Sequence, residues 1–332
     1  MQGGKMKQNH DDRRADLICA GMALVDSLIR GFDPTPVSAS GYRAESAALN
    51  VGGEAVNAAI AGAKLGMKTG IVCALGSDAA GDLVRAALER AGVDLEHIAA
   101  GPETPVTTLF IREDGSRRSV TNRSHRYNFH PEKDPAAFTG AKALLIGSLF
   151  RPPFDDPGIV YSVLKAAKEA GQIVIADTKL PYDWALKAED LRDSFPMIDY
   201  LTPNEDEARY LTGAEGPENM ADALLALGAG NVIVKLGGGG VCMKSRGKAV
   251  RLPAYAVRAV DSTGAGDNLA AGFVSEILRG KSPEEALSFA NACGAVCVTA
   301  LGAGTALKSR EQVLRFMEET PLKTDDVPDR PD

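Results

Sequence analysis

The chain has 332 residues, 45% apolar and 24% charged, with a formal net charge of −7 and a pI near 5.3. That balance suits a soluble globular protein with one large α/β domain or two domains, and it argues against general nucleic-acid binding, which needs a basic surface. No apolar run approaches the ~18 residues that span a bilayer, the polar segment 1–16 lacks a signal-peptide core, and the five scattered cysteines read as reduced thiols of a cytoplasmic protein.

In chain order, residues 1–15 read as a disordered tail, and 16–23 (DLICAGMA) as a short apolar strand with Asp26 just beyond it. Residues 27–50, with Pro34 and Pro36, do not read as a core element. Gly52-Gly53 opens an alanine-rich helix closed by Gly66, and 69–75 is a strand. Ser77 or Asp78 caps a helix over about 81–91 that stops at Gly92. Segment 104–112 is strand-like, 113–116 (EDGS) is a hairpin turn, and 117–122 is the returning strand. Around this inserted hairpin sit Arg112, Arg117, Arg118, Arg123, Arg126 and two histidines. They form either a solvated face or a surface turned toward an anionic substrate group.

The α/β rhythm then resumes. Strand 143–147 precedes helix 157–170, and strand 172–177 ends on Asp177. A short strand at 200–202 leads into helix 204–211, followed by helix 218–227 and strand 231–236, which runs into four glycines at 237–240. A hairpin spans 241–252. After segment 258–280, Ser282-Pro283-Glu284-Glu285 starts a helix reaching about 298, with Cys293 and Cys297 packed one turn apart in the core. A final helix covers 309–319, and 322–332 reads as a second disordered tail. Strands alternating with such helices imply a largely parallel sheet covered on both faces, with ligands beyond the strand ends. Asp26, Gly52-Gly53, Asp177, Asn204 and the 237–240 glycines all follow strands and converge on one rim.

Segment 261–280 carries the densest chemistry. Leu269, Phe273 and Ile277, with Ala270, Val274 and Leu278, put two apolar rows on one helical face. Gly264, Ala265, Gly266 and Asp267 therefore stand at the N-terminal entrance of a buried helix, where unpaired N–H groups and the helix dipole favour an anion such as phosphate. A carboxylate there can take a proton from an attacking hydroxyl. GAGD alone reads equally as a capped glycine-rich loop.

Three motifs in order change that balance: Gly52-Gly53-Glu54-Ala55-Val56-Asn57, then Asn204 and Glu207 in TPNEDEA, then Asp261-Ser262-Thr263-Gly264-Ala265-Gly266-Asp267. Together they resemble the ribokinase-like (pfkB-type) carbohydrate kinases over about 16–319. The resemblance implies a ribokinase-like α/β fold: a mostly parallel central sheet with helices on both faces and a small β-sheet lid formed by about 27–50 and 104–130. It implies ATP and Mg2+ as cofactors, a small-molecule sugar or sugar-acid substrate phosphorylated at a primary hydroxyl, and a homodimer joined through the lid. By the same resemblance Asp267 is the general base, and the amides of Gly264, Ala265 and Gly266 form the anion hole. Asp26, Gly52, Gly53 and Asn57 hold sugar hydroxyls. Asn204 and Glu207 place magnesium through water and the phosphates. Lys235, Gly237, Gly238, Gly240 and Asn291 match nucleotide-contacting positions, and Asp261 with the 297–302 backbone resembles a monovalent-cation (K+) site.

The residues add their own constraints. No glycine segment ends in Gly-Lys-Ser/Thr, so there is no Walker A loop, and the 237–240 glycines lead into a strand, unlike a dinucleotide fingerprint. An aspartate of ordinary pKa, about 3.9, lowered further by a helix N-terminus, is a weak base and receives its proton late in the transfer. Ribokinases proper have Lys where this chain has Glu54 and Asn where it has Leu24. Ser262 replaces the family's Thr. Thr178-Lys179-Leu180-Pro181 replaces the Pro-Asn-x-Arg of many ketodeoxygluconate and fructose kinases, with Lys179 offering a contact to an acidic group. The alternatives are a nucleoside kinase, for which only Phe110, Tyr127 and Phe129 are candidate base-stacking residues in the lid, and a catalytically silent sugar- or nucleotide-binding regulator.

Overall fold

A computed structural model describes residues 15–31, 43–112, 117–122, 130–181 and 186–324. The chain opens with β1 (Ala15–Gly21), β2 (Leu24–Arg30), β3 (Ser46–Gly52), α1 (Glu54–Lys64), β4 (Thr69–Leu75) and α2 (Ala79–Ala91). Next come β5 (Ile98–Ala100), β6 (Val106–Ile111), β7 (Arg117–Thr121) and the single turn α3 (Ala136–Thr139). The second half begins with β8 (Ala141–Leu149), α4 (Pro157–Glu169), β9 (Ile173–Thr178), β10 (Tyr200–Leu201), α5 (Glu205–Thr212), α6 (Pro217–Ala226) and β11 (Asn231–Lys235). It closes with β12 (Val241–Ser245), β13 (Lys248–Leu252), α7 (Ala265–Leu278), α8 (Pro283–Cys297) and α9 (Arg310–Glu319).

The large sheet has the order β13-β12-β11-β10-β9-β8-β1-β4-β5. It is parallel from β11 to β5, and β12 and β13 join antiparallel at one edge. Because side chains alternate along a strand, the apolar run of β1 feeds both faces. Leu17 and Cys19 pack toward α1 and α7, while Ile18 and Ala20 pack toward α4. Small residues let α7 lie close against α8: a Cβ on Gly272 would stand 2.7 Å from Cys293 Sγ. All five cysteines are free and buried, so the Cys293–Cys297 spacing serves packing, as expected.

The lid is a separate four-stranded sheet of order β3-β2-β6-β7, in which β2–β3 and β6–β7 are antiparallel and β2–β6 parallel. Its strands begin at Leu24 and run to Gly52, wider than the 27–50 expected. Asp26 therefore lies within strand β2 and not in a turn after β1. The chain leaves the core through Gly21 (φ 148) and returns through Gly53 (φ 95). A Cβ at either would meet backbone oxygen, Gly147 O at 2.5 Å or Met22 O at 2.3 Å, so only glycine fits.

Two tail boundaries need correction. Ala15 already belongs to β1. Leu322 pairs with Tyr255, and Lys323 N–H donates to Ala254 O, because the segment after α9 returns along the chain that leads into α7. The remaining tail residues, 1–14 and 325–332, and the hairpin tip at 113–116 lie outside the described residues.

The C-terminal helix is tied to the core by one ion pair. Glu276 of α7 is buried and accepts from Arg310 Nε (2.7 Å) and Nη2 (2.8 Å) at the start of α9. Arg310→Leu should lower unfolding stability by roughly 3 kcal/mol, the low end for breaking a buried pair, because Arg310 is partly exposed and Arg279 remains 3.8 Å from the carboxylate. Urea denaturation with an unchanged m-value checks this; a loss below about 1 kcal/mol would show that α9 is held by packing alone.

Candidate active site

The C-terminal ends of the parallel strands and the inner face of the lid enclose a cleft of about 590 Å³. Among the expected residues, β2 contributes Asp26, and the start of α1 contributes Gly53 and Asn57. Asn204 and Glu207 come from the start of α5, Lys235 and Gly237 from the end of β11, and Gly264 to Asp267 from the start of α7.

Other expected residues sit behind the lining. Gly52 makes room for Asp26, since a Cβ there would be 2.3 Å from Oδ2. Gly240 (φ 93) turns the backbone beneath Leu252 O. Gly238 lies in the 3-10 turn between β11 and β12. Asn291 is buried and donates to Pro253 O at 2.9 Å, bracing the chain that leaves β13. Asp261 accepts from Thr263 N (3.0 Å), Thr263 Oγ1 (2.7 Å) and Gly302 N (2.9 Å), tying the loop before α7 to the loop after α8.

At the mouth of α7, Gly264 adopts the left-handed conformation (φ 77) against Ala303, where a Cβ would stand 2.2 Å from that residue's methyl. Asn268 donates to Gly264 O and Ala303 O, both at 2.8 Å, and fixes the same corner. The first-turn N–H groups of α7 then point into the cleft; the Ala265 N–H makes a long 3.3 Å bond back to Ser262 O.

Asp267 is the third residue of α7 and is buried. Asn57, in the first turns of α1, donates to its Oδ2 at 2.8 Å. Burial, and after it the Glu54 carboxylate, push Asp267 up to about 7, against the pull of Lys179. The expectation of a depressed pKa at this helix N-terminus is thus reversed, since desolvation and neighbouring carboxylates outweigh the dipole. Asp26 is likewise pushed up to about 6, by burial first and then by Glu54 and Asp261.

Two ion pairs flank these carboxylates. On the Asp26 side, Lys179 Nζ is 3.0 Å from Glu54 Oε1, and Ser148 Oγ donates to Glu54 Oε2 at 2.8 Å. Burial raises Glu54, but Lys179 and Ser148 outweigh it and hold its carboxyl below the usual range. On the other side, Lys235 Nζ pairs with Asp177 Oδ1, which also accepts from Thr202 Oγ1 at 2.9 Å. Next to it Asn204 and Glu207 form a reciprocal capping box for α5, and Glu207 Oε2 also accepts from Thr178 Oγ1 at 2.8 Å. Burial raises Glu207, and nearby Asp177 adds to the rise against Lys235. Two crowded carboxylates facing a phosphate-sized space suit a divalent cation approached through water. No group of three or more His, Cys, Asp or Glu among the described residues stands ready to bind a metal directly.

Ser148 and Arg151 were missed in the sequence, although Ser148 stands at a strand end on the rim, and Glu54 and Lys179 were read as separate departures and not as a pair. The lid's inner face adds Leu24, Thr107, Leu109, Ser119 and Thr121. Strand alternation puts Arg118 and Phe110 on the lid's other face, away from the cleft. Arg123, Arg126, Tyr127 and Phe129 lie outside the described residues.

Comparison with known proteins gives the same picture. The family model described as pfkB family carbohydrate kinase matches residues 21–310. A Haemophilus influenzae ribokinase is 29% identical over 272 residues, covering 80% of this chain and 87% of the relative. A Bacillus subtilis 2-dehydro-3-deoxygluconokinase is 27% identical over 280 residues, 79% and 84% of the two chains. The solved structure of an Arabidopsis thaliana ribokinase, complexed with ribose and ATP, superposes with a TM-score of 0.80 at 30% identity, covering 92% of this chain and 99% of the other.

The raised Asp267 has a thermodynamic signature. Between the unfolded-state value near 4 and about 7, the folded protein holds a proton that the unfolded chain releases, so this group's contribution to stability falls as pH rises through that window. Asp267→Asn keeps an acceptor for Asn57 and removes the charge. Its Tm should exceed the parent's at pH 8, with the gap closing toward pH 4. A variant no more stable than the parent at pH 8 would contradict the placement of a costly buried carboxylate.

Proposed function

The chain belongs to the pfkB family of carbohydrate kinases, and from that premise we propose that it transfers the terminal phosphoryl group of ATP to a primary hydroxyl of a sugar held between Asp26 and Asp267. The carrying observation is Asp267 itself: a buried carboxylate at the N-terminus of α7, oriented by Asn57 and lining the cleft shared with Asp26.

Phosphoryl transfer passes through a loose transition state, so alignment and charge stabilisation dominate. The amides of Gly264, Ala265 and Gly266 face the charge on the transferring group. Asp267 accepts the hydroxyl proton as the new O–P bond forms, and a value near 7 makes it a better base than an ordinary aspartate. Magnesium, when bound, neutralises phosphate charge, with Glu207 and Asn204 holding it through water. Lys235 and the 237–240 turn receive the nucleotide. Asp261 anchors a monovalent cation such as K+. The five buried free thiols fit a reducing cytoplasm, and no described helix is long and apolar enough to cross a membrane.

The departures at Glu54 and Lys179 bear on the acceptor. Asp26, Glu54 and Asp267 gather three carboxylates at the sugar end, and Lys179 is paired to Glu54. A substrate carboxylate would add charge where two acids are already pushed up, so a neutral polyhydroxylated sugar is favoured over a sugar acid. On the lid's outer face, Leu49 and Val120 are each 64% exposed and stand in one row through Ser27 and Thr108, which supports dimerisation through the lid.

ADP release measured across neutral sugars, sugar acids and nucleosides tests the reading. Neutral sugars should be turned over best, and Asp267→Asn should lose about 10²- to 10⁴-fold in kcat while still binding ATP. Full activity in Asp267→Asn would end the proposed mechanism, and a sugar acid as best substrate would reverse the charge argument. ATP binding without turnover of any acceptor would point to the silent regulator. In analytical ultracentrifugation, Leu49→Glu with Val120→Glu should shift a dimer to monomer; an unchanged sedimentation coefficient would remove the lid as the interface.

A further inference from the structure

Lys235 is a cation at the mouth of α7. It closes the parallel strand β11, and its side chain is only 14% exposed. Its Nζ lies 2.9 Å from the point a Cβ on Gly266 would occupy, and Asp177 Oδ2 lies 3.5 Å from the same point. The ammonium thus rests against the middle residue of the segment whose N–H groups face the cleft. A Cβ at Gly266 would crowd this ammonium, the mobile end of its side chain. Asp177, 5% exposed, is fixed in turn by Thr202 Oγ1 at 2.9 Å and Thr178 N at 3.1 Å.

The cleft's other lysine is engaged elsewhere, since Lys179 is paired with Glu54 on the sugar side. An anion seated on the Gly266 and Asp267 N–H groups is therefore within reach of Lys235. Asp177 takes one of the ammonium's three donors and can share the others with a phosphoryl group. Poorly hydrated, partly buried charges act on one another more strongly than they do in water.

Building on the kinase reading above, we propose that Lys235 is a catalytic residue that holds the non-bridging oxygens of the transferred phosphoryl group opposite the α7 amides, with Asp177 as the residue that positions it. In the transfer, the bond from the terminal phosphorus to the bridging oxygen of ATP breaks, and ADP leaves with the electron pair. The acceptor oxygen bonds phosphorus and its proton passes to Asp267. Lys235 stays protonated throughout and balances charge only. On a scaffold with no Walker A loop, it does the work that a P-loop lysine does.

The test compares Lys235→Met, Lys235→Arg and Asp177→Asn with the parent. Calorimetric Kd values for ATP and for ADP are taken with magnesium and no acceptor, and kcat and KM with the best acceptor found. Lys235→Met should weaken ATP at least about tenfold more than ADP, because only ATP carries the terminal group. Its kcat should fall by about 10²- to 10³-fold, the range seen when one preorganised oxyanion donor is removed, with sugar KM within about threefold. Lys235→Arg should recover part of both losses. Asp177→Asn should lower kcat about tenfold while the ATP-to-ADP ratio stays within about threefold of the parent.

An unchanged ATP-to-ADP ratio in Lys235→Met would overturn the proposal. If that variant fails to fold by thermal melt, the same ratio in Lys235→Gln decides. The binding ratio needs no acceptor, so it tests Lys235 even if no sugar is turned over. A parent that binds ATP but phosphorylates nothing would sink the kinase reading while leaving the lysine's contact with the terminal phosphate to be judged by the ratio.

Discussion

Everything at the cleft depends on one hydrogen bond between two helix N-termini. Asn57 on α1 and Asp267 on α7 are far apart in sequence, and their 2.8 Å contact is buried. It exists because α1 and α7 pack side by side on the face of the sheet that carries Leu17 and Cys19. Alanine-rich α1 and the small residues of α7 let the helices approach closely. The bond orients a carboxylate that the surrounding protein would rather keep neutral. A buried carboxylate held at an electrostatic cost thus rests on a closely packed part of the core, where such a cost can be carried.

Much of this organisation was legible in the chain. The strand–helix rhythm gave the parallel sheet, since β1, β8 and β9 are short apolar runs ending on the rim. Asn204 and Glu207 could be read both as a cap and as site residues, and they are joined in a capping box that lines the cleft. Gly264 and Gly266 were legible as glycines with a purpose. That Gly266 lies against an ammonium from another strand needed the tertiary arrangement.

What sequence could not supply was pairing across distance. Glu54 and Lys179 each looked like a local departure from a familiar motif, and in space they compensate one another. The same blindness affected the expected acidity of Asp267. Its own helix argues for a lowered value, while burial and carboxylates on α1 and β9 push the other way. Asp26 read as a site residue just beyond the first strand, and its place inside a second strand was hidden because β1 and β2 are separated by only two residues, too few to suggest that the chain changes sheets there. The hydrogen bond from Asn291 to Pro253 O, between residues far apart in sequence, was equally out of reach.

The separation of the lid sheet from the core also divides the molecule into parts with different tolerance for change. Asp267, Asn57 and their neighbours on α7 are buried in the common core, where nearly any replacement disturbs packing. The lid strands that carry Asp26, Thr107 and Ser119 are half-buried or exposed along most of their length. Substitutions there typically cost little stability. The lid's contacts with an acceptor can therefore drift at little cost in stability, whereas those made from the core, at Glu54 and Lys179 as at the phosphate-handling end, are tied to the demands of folding itself.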